Sequence, residues 1–494
     1  MVLAVNVSEY SYELEKLTCS FFPEEHVDVL INGLKKDGSK LREDILSSGT
    51  AVSVNVSSDA TTVEYCQDGK TVLEMTETGT SELHAARLLY KVLSKVLDRE
   101  LGWGILTGIR PSKLLIHLME ENGREEGTEA FKTQYLVSDK KTSLALSVAD
   151  AEERIIKTSK PNSFSLYISI PFCPSRCSYC SFVSSAVNTE TARKEFEPYF
   201  ENLLKEIEYT AETAKSCGLE LLSVYVGGGT PSTLSAEQIR RLLKTVNHCF
   251  DMSACREFTF EAGRPDTITT DKLAACLEGG VDRISINPQT MSDDVLAAVG
   301  RAHTASDVIK VFDDARRLGF KNINMDLIAG LPTDTFEGFK HSLSELIKLS
   351  PESITVHTLA YKRSSDLDYR DGLFSATRNV SLMVDFANDA LYANGYIPYY
   401  MYRQAKSVGN LENVGWCKPG FESRYNIFMM EECHTILACG AGAVTKLKEP
   451  GGMQISRIFN FKYPFEYNSN FAEQINRKKA ISEFYGHTGI SENC

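Results

Sequence analysis

The segment LYISIPFCPSRCSYCSF, Leu166–Phe182, joins a short apolar run to three cysteines, Cys173, Cys177 and Cys180, spaced four and three residues apart. One buried cysteine is a small, inert hydrophobe, so packing gives no reason to gather three of them in one loop. With 13 cysteines in 494 residues, the spacing C-x3-C-x2-C arises by chance in roughly one such chain in a hundred. Soft thiolates at this separation suit a zinc ion or an iron–sulfur cluster. A closed zinc site wants a fourth ligand close by, yet Cys217 is far along the chain and the loop holds no histidine. Three cysteines on a [4Fe-4S] cube leave one iron uncovered, and an uncovered iron can take a substrate.

Outward from this loop, from Leu166 to about Ala360, β-branched runs alternate with longer helix-like segments, the pattern of repeated βα units around a parallel sheet. Six strands are expected, at 166–170, 222–226, 257–261, 283–287, 323–328 and 353–359. Segments such as AEQIRRLLKTVNHCF and ASDVIKVFDDARRLGF carry apolar residues at helical spacing between them. Six units make a partial (β/α)6 barrel, an α/β fold whose functional residues belong on loops at the C-terminal strand ends. The unusual residues fall there: the cysteine loop after the first strand, GGGTPS (227–232) after the second, Glu261 ending the third, Gln289 after the fourth, Asp326 near the end of the fifth, and His357 to Ala360 closing the sixth.

Residues 1–150 read as a separate small α/β accessory domain. VSVNVSSDATTVEYCQDGKTVLEM alternates like an antiparallel hairpin and HAARLLYKVLSKVL is amphipathic. GWGILTGIRPSKLL (102–115) stands out for its Gly and Pro breakers around Trp103, and reads equally as a helix-initiating loop. After the linker EERIIKTSKPNS, the barrel is expected over 160–372 and a mostly helical C-terminal domain or lid over 373–494, which contains WCKPGFESRYN and LACGAGAVTK. The N-terminus lacks the pattern of a signal peptide, no run reaches membrane-spanning length, and an odd number of scattered cysteines suits a reducing cytoplasm. A net charge of -13 without a basic stripe argues against nucleic acid and for a small-molecule substrate.

Each polar strand-end residue has a plain alternative. Consecutive glycines make a tight turn, or let backbone groups approach an anionic ligand at a helix N-terminus, here with Ser235 as N-cap. Glu261 is a rim residue or a partner for an ammonium group; Arg301 is a surface residue or a fork for a carboxylate. Asp326 is costly to bury without partners, which sugar hydroxyls would supply. Gln289 and the backbone of Ala360 could neighbour an adenosyl group. His357, at a strand end, and His434, before the glycine-rich LACGAGAV, stand out, though a lone histidine near a core is more often structural than a ligand; His303 is a proton donor or an outward-facing side chain.

Taken together, YISIPFC, YVGGGTPS, RISINPQ, GRAHT, NMDLIAGLP and PGFESRYN with CGAGA resemble the radical S-adenosylmethionine proteins of the oxygen-independent coproporphyrinogen III oxidase group, over about Leu166 to Thr445. The long N-terminal domain and GWGILTGIRPSKL resemble the coproporphyrinogen dehydrogenase HemZ branch. The resemblance implies that Cys173, Cys177 and Cys180 bind a [4Fe-4S] cluster. It implies that Tyr167, Gly228, Glu261 and Arg301 contact one S-adenosylmethionine, and that Tyr179, Gly229, Thr230, Gln289, Asp326 and Ala360 occupy positions that touch a second. In the family the open iron chelates the amino and carboxylate groups of S-adenosylmethionine, and one electron from a donor such as flavodoxin or ferredoxin leads to methionine and a 5'-deoxyadenosyl radical. That radical takes a hydrogen from a propionate of coproporphyrinogen III; loss of carbon dioxide and an electron leaves a vinyl group, and two rounds give protoporphyrinogen IX. Arg264, Arg363, Arg403 and Arg424 are candidates to hold the propionates. One position departs: authentic oxidases of this group carry another cysteine two residues beyond the third, where this chain has Phe182, a lack shared with the related haem chaperones. A haem-binding chaperone and a haem-cleaving radical methyltransferase are therefore the rival readings.

Overall fold

The computed structural model describes residues 1–23, 25–39, 49–360, 373–404 and 407–486. All six expected βα units are present, with parallel strands at Ser163–Ile170, Glu220–Gly228, Glu257–Gly263, Arg283–Ile286, Ile323–Ala329 and Ser353–Thr358. They pair in chain order, Tyr167 opposite Tyr225, Tyr225 opposite Thr259 and Asp326 opposite Thr355. Helices cross between them, and their starts are capped as the sequence suggests. Ser235 accepts from the Gln238 N–H and Gln238 returns the bond, a capping box that fixes the start of Ala236–Cys249 just after the glycine loop.

Strand alternation sorts the side chains. Leu166, Ile168 and Ile170 on the first strand, Val224 and Val226 on the second and Phe258 and Phe260 on the third are buried, and they form the face that the helices cover. The opposite face is polar and bonded across the lumen. The Ser165 and Ser223 hydroxyls lie 2.6 Å apart, Arg283 donates to Ser353 Oγ at 3.0 Å, and Asn324 donates to Ser285 Oγ at 3.0 Å. A buried polar lumen is tolerable because its groups satisfy one another.

The chain after the sixth strand extends this sheet on both sides. Glu412–Cys417 runs antiparallel to Ser353–Thr358. Thr435–Cys439 lies parallel to the first strand, and the hairpin Val444–Lys448 with Ile455–Phe459 follows it. The CGAGA segment is thus the turn leaving the strand beside the cysteine-bearing one. Its seating depends on a fully buried ion pair, Glu206 with Lys478, both 0% exposed and 3.0 Å apart. Glu206 also accepts from the Gly440 N–H at 2.7 Å, Tyr467 at 2.6 Å, Asn460 at 2.9 Å and Gln474 at 3.1 Å. Those bonds bring the Glu190–Ser216 helix, the Gly440 turn and the C-terminal helices to one point.

The N-terminal part forms its own compact unit with the short segment Met401–Leu411. Its six-stranded sheet has the order Leu34–Lys35, Asp28–Ile31, Val2–Val5, Thr50–Val56, Ala60–Gln67, Lys70–Thr78. The helices Ser11–Phe21 and Glu82–Leu97 bury Leu14, Leu17, Leu88 and Leu89 against that sheet. GWGILTGIRPSKLL leads into the Pro111–Asn122 helix. Arg403, 4% exposed, donates to the Leu106 carbonyl at 2.7 Å and lies 5.9 Å from the Trp103 ring centroid. Among the described residues no helix is long and apolar enough to cross a membrane.

Replacing Lys478 by Met strands a buried carboxylate and should lower the unfolding free energy by about 3–5 kcal/mol. Urea denaturation of the purified variant measures this directly, and an unchanged midpoint would show that the pair is not what seats the C-terminal helices.

Candidate functional site

The first strand delivers the cysteine loop to the C-terminal end of the barrel, where neighbouring strand ends hold it. Phe172–Cys173 pairs with Ser185–Ala186, closing the loop on itself through Val187 N–H to Cys173 O at 2.9 Å. The Ser178 N–H reaches Val299 O at 3.2 Å, so the residue just before GRAHT supports the loop from beside it. The glycine loop presses from the second strand: Gly229 N–H bonds Ile170 O at 2.8 Å, Thr230 N–H bonds Phe172 O at 2.8 Å, and Thr230 Oγ1 lies 3.4 Å from Cys173 Sγ. A Cβ at Gly229 would sit 2.7 Å from Phe172 O and 3.0 Å from Cys173 Sγ. Only glycine allows that approach.

Among the described residues no three His, Cys, Asp or Glu side chains converge as the ligands of a single ion. Three cysteines on one supported loop offer the soft thiolate donors an iron–sulfur cluster takes, and the loop holds no histidine to complete a closed zinc site.

Around this loop the other expected residues converge from successive strand ends. Glu261 is half-buried and accepts a short hydrogen bond from the Tyr225 phenol. Burial pushes its carboxyl up to about 7; Tyr225, His357 and the Gly228 N–H oppose the rise, and the nearby Asp326 adds to it. Tyr225 stacks 4.4 Å from Tyr425 and 6.3 Å from Tyr167, a tyrosine column running down the lumen from Glu261. Asp326 accepts from Asn324 at 2.7 Å and lies 3.8 Å from His357 Nε2. Burial works against its ionisation, but His357, Asn324 and Thr355 hold its carboxyl below the usual range.

Gln289 bridges to the fifth strand, its N–H on Asp326 O at 2.9 Å, and takes a left-handed φ of 69°. Its Oε1 is buried and unpartnered. Arg301, 9% exposed, donates Nη1 to Asn287 O at 2.5 Å, while its Nε has no partner. A buried amide oxygen and a buried guanidinium N–H without partners are groups that a ligand would satisfy. Tyr179 is half-buried within the loop, and Ala360 is half-buried just past the sixth strand. These features fit a cluster with an amino-acid and nucleoside ligand beside it: glycines that admit the cysteine loop, a carboxylate, a guanidinium, an acid for hydroxyls and an acceptor for an amine.

Other candidates go elsewhere. Arg264 turns into the cysteine loop, Arg403 serves the carbonyls around Trp103, and Arg424 bonds Thr158 Oγ1 at 3.0 Å at the N-terminal end of the strands. The contacts described for these three are with the protein itself, and Arg363 lies outside the described residues. His434 is structural: its ring nitrogens meet Ser159 Oγ at 2.9 Å and Ser165 Oγ at 2.8 Å, and Phe428 packs 4.0 Å away. Sequence reasoning passed over Tyr225 and Tyr425. Tyr225 was signalled by alternation, two residues before Gly227 on the lumen face; Tyr425 had no local signal.

Residues 167–346 match the Radical SAM superfamily model, and that match defines the class of the barrel and its cysteine loop. The chain belongs to the oxygen-independent coproporphyrinogen III oxidase-like family. It is 40% identical over 394 residues, 78% of both chains, to the oxygen-independent coproporphyrinogen-III oxidase-like protein HemZ of Bacillus subtilis strain 168. It is also 31% identical over 305 residues to the haem chaperone HemW of Haemophilus influenzae, covering 61% of this chain and 75% of that one. Among solved structures, coproporphyrinogen III oxidase HemN of Escherichia coli superposes with a TM-score of 0.50 at 23% identity, over 66% of this chain and 73% of that one, which supports the shared fold. Membership of the class implies a [4Fe-4S] cluster and S-adenosylmethionine.

Burial pushes the His434 imidazole down to about 3, against 6.5 in an unfolded chain. The folded state therefore keeps the ring neutral: its contribution to stability is complete above pH 6.5 and is lost as pH falls from there towards 3. Denaturant titrations at pH 7.5 and pH 5 should show wild type losing more stability than His434→Gln, and equal losses would contradict the assignment.

Proposed function

We propose that this chain carries out the oxygen-independent oxidative decarboxylation of coproporphyrinogen III propionates to vinyl groups, giving protoporphyrinogen IX. The observation that carries this reading is the 40% identity to HemZ across 78% of both chains; the strand-end chemistry of the site supports it. When bound, the cluster and S-adenosylmethionine supply one-electron chemistry that removes a hydrogen atom from an unactivated carbon. Each vinyl group formed releases one carbon dioxide and leaves one electron for an acceptor.

Cys173, Cys177 and Cys180 would hold the cluster, with Thr230 and Gly229 packed against the first of them. Glu261 would accept from the amino N–H of S-adenosylmethionine, the Arg301 Nε–H would meet its carboxylate, and Gly228 and Tyr167 would lie beside it. Asp326 would take ribose hydroxyls, with Gln289 Oε1, Tyr179 and Ala360 around the base or around a second S-adenosylmethionine. Tyr225, by donating to Glu261, would hold that carboxylate in place beside the ligand. An electron donor such as flavodoxin or ferredoxin completes the scheme.

A second reading, a haem-binding chaperone that retains the cluster, draws support from one feature. Phe182 replaces a cysteine beside the cluster loop and is 69% exposed, an aromatic face offered to a flat ligand, and HemW is among the relatives. Anaerobic incubation of the reconstituted protein with reductant, S-adenosylmethionine and coproporphyrinogen III, followed by mass analysis, separates the two. The proposed reaction predicts a tricarboxylic intermediate and then protoporphyrinogen IX. Absence of both, with tight stoichiometric haem binding, selects the chaperone.

The Glu261 carboxyl at about 7 sets a further expectation. The ionised carboxylate is the stronger acceptor for the amino N–H, so S-adenosylmethionine affinity should fall as pH drops below about 7, by up to about tenfold per unit. Glu261→Gln should bind weakly with no such slope; a wild-type affinity that is flat from pH 6 to 8.5, read by anaerobic calorimetry, would remove Glu261 from the site.

A further inference from the structure

Arg264 follows the third strand and is 3% exposed, an expensive place for a guanidinium unless its donors are used. Two of its nitrogens form a fork with Asp266, Nε on Oδ1 at 3.1 Å and Nη2 on Oδ2 at 3.0 Å. That pairing leaves Nη1 directed at the cysteine loop. It donates to Ser175 O at 3.1 Å and Ser175 Oγ at 2.8 Å, and it stands 3.8 Å from Cys177 Sγ, within reach of a hydrogen bond to sulfur. His303 backs the pair, with Nδ1 3.7 Å from Asp266 Oδ1. Cys177 is itself buried at 7% exposure, so water does not screen the guanidinium from the thiolate.

We propose that Arg264, aimed by Asp266, sets the reduction potential of the cluster through its N–H to the Cys177 sulfur. Hydrogen bonds to ligand sulfurs and nearby positive charge stabilise the more negative, reduced state of an iron–sulfur cluster and so raise its potential, most strongly where the surroundings are dry. Asp266 has the opposite electrostatic sign. It fixes the guanidinium in place and offsets part of its charge, so the potential reflects the balance of the two. This inference rests on Cys177 being a cluster ligand and goes beyond it: Arg264, whose bonds go to Asp266 and the cysteine loop, acts through the Cys177 sulfur as a positioning residue. A mere anchor for the Ser175 turn would hold the loop in place without making the potential depend on the sign of the charge changed.

The test is a redox titration of the reconstituted full-length protein, followed by electron paramagnetic resonance, with iron content and thermal melting as controls for loading and folding. Arg264→Gln should shift the midpoint to more negative potential, Arg264→Lys should shift it less, and Asp266→Asn should shift it the other way. Opposite shifts support the proposal. Unchanged midpoints, or shifts of the same sign in Arg264→Gln and Asp266→Asn, overturn it while leaving the ligand assignment standing. If Arg264→Gln fails to load iron, Asp266→Asn decides alone: a more positive midpoint supports the proposal and an unchanged one overturns it. Cys177→Ala isolates the underlying reading, since a normally loaded cluster in that variant would sink both.

Discussion

A strand turns successive side chains to opposite faces, and in this barrel that constraint governs everything near the cysteines. The outward positions are given over to Val, Ile, Leu and Phe beneath the helices. The lumen positions are left to Ser, Tyr, Glu, Asn, Asp and Arg, which must satisfy one another or a ligand. At the lower end they do so internally: Glu257 accepts from Ser423 Oγ at 2.9 Å and from the Arg424 N–H at 2.6 Å, which caps the Arg424–Glu431 helix from inside the barrel. That cap places Tyr425 in the stack below Tyr225 and Glu261. At the upper end satisfaction is incomplete, at Gln289 Oε1 and Arg301 Nε. The polar network therefore runs from a closed floor to an open rim, and the rim is where the cysteine loop sits.

The loop owes its placement to neighbours rather than to its own sequence. Gly229 lets the second strand end approach Cys173, Val299 just before GRAHT accepts from the Ser178 N–H, and Arg264 donates to Ser175 O. Behind the first strand, Tyr199 donates to Ser169 O at 2.7 Å and Ser169 Oγ donates to Ala441 O at 2.9 Å. The Glu206–Lys478 pair supports the turn that contains Ala441. A chain of buried bonds thus links the C-terminal helices to the strand that carries the cysteines, although those helices contribute no site residue.

The six strands and their functional ends were legible because both depend on local periodicity: an apolar run of period two, then a residue with no packing reason to be there. Glu261, Gln289 and Asp326 were found that way, and the structure brings them to one rim. What was not legible depends on contacts between distant segments. Nothing near Glu206 signals Lys478, far along the chain, and nothing in PGFESRYN shows that its tyrosine enters the lumen. The arginines illustrate the same limit. Charge made Arg264, Arg403 and Arg424 alike in the sequence, but which end of a strand a loop leaves from, and which carbonyls wait there, sent each to a different task.

The central claim is that three cysteines on one loop hold a cluster with an iron left open for S-adenosylmethionine. The most direct measurement is electron–nuclear double resonance on the reduced, reconstituted protein with S-adenosylmethionine labelled at its amino nitrogen and carboxylate. The account predicts a direct coupling of both labels to one iron, lost together with the cluster in Cys177→Ala. A fully loaded cluster that shows no coupling to either label would contradict it.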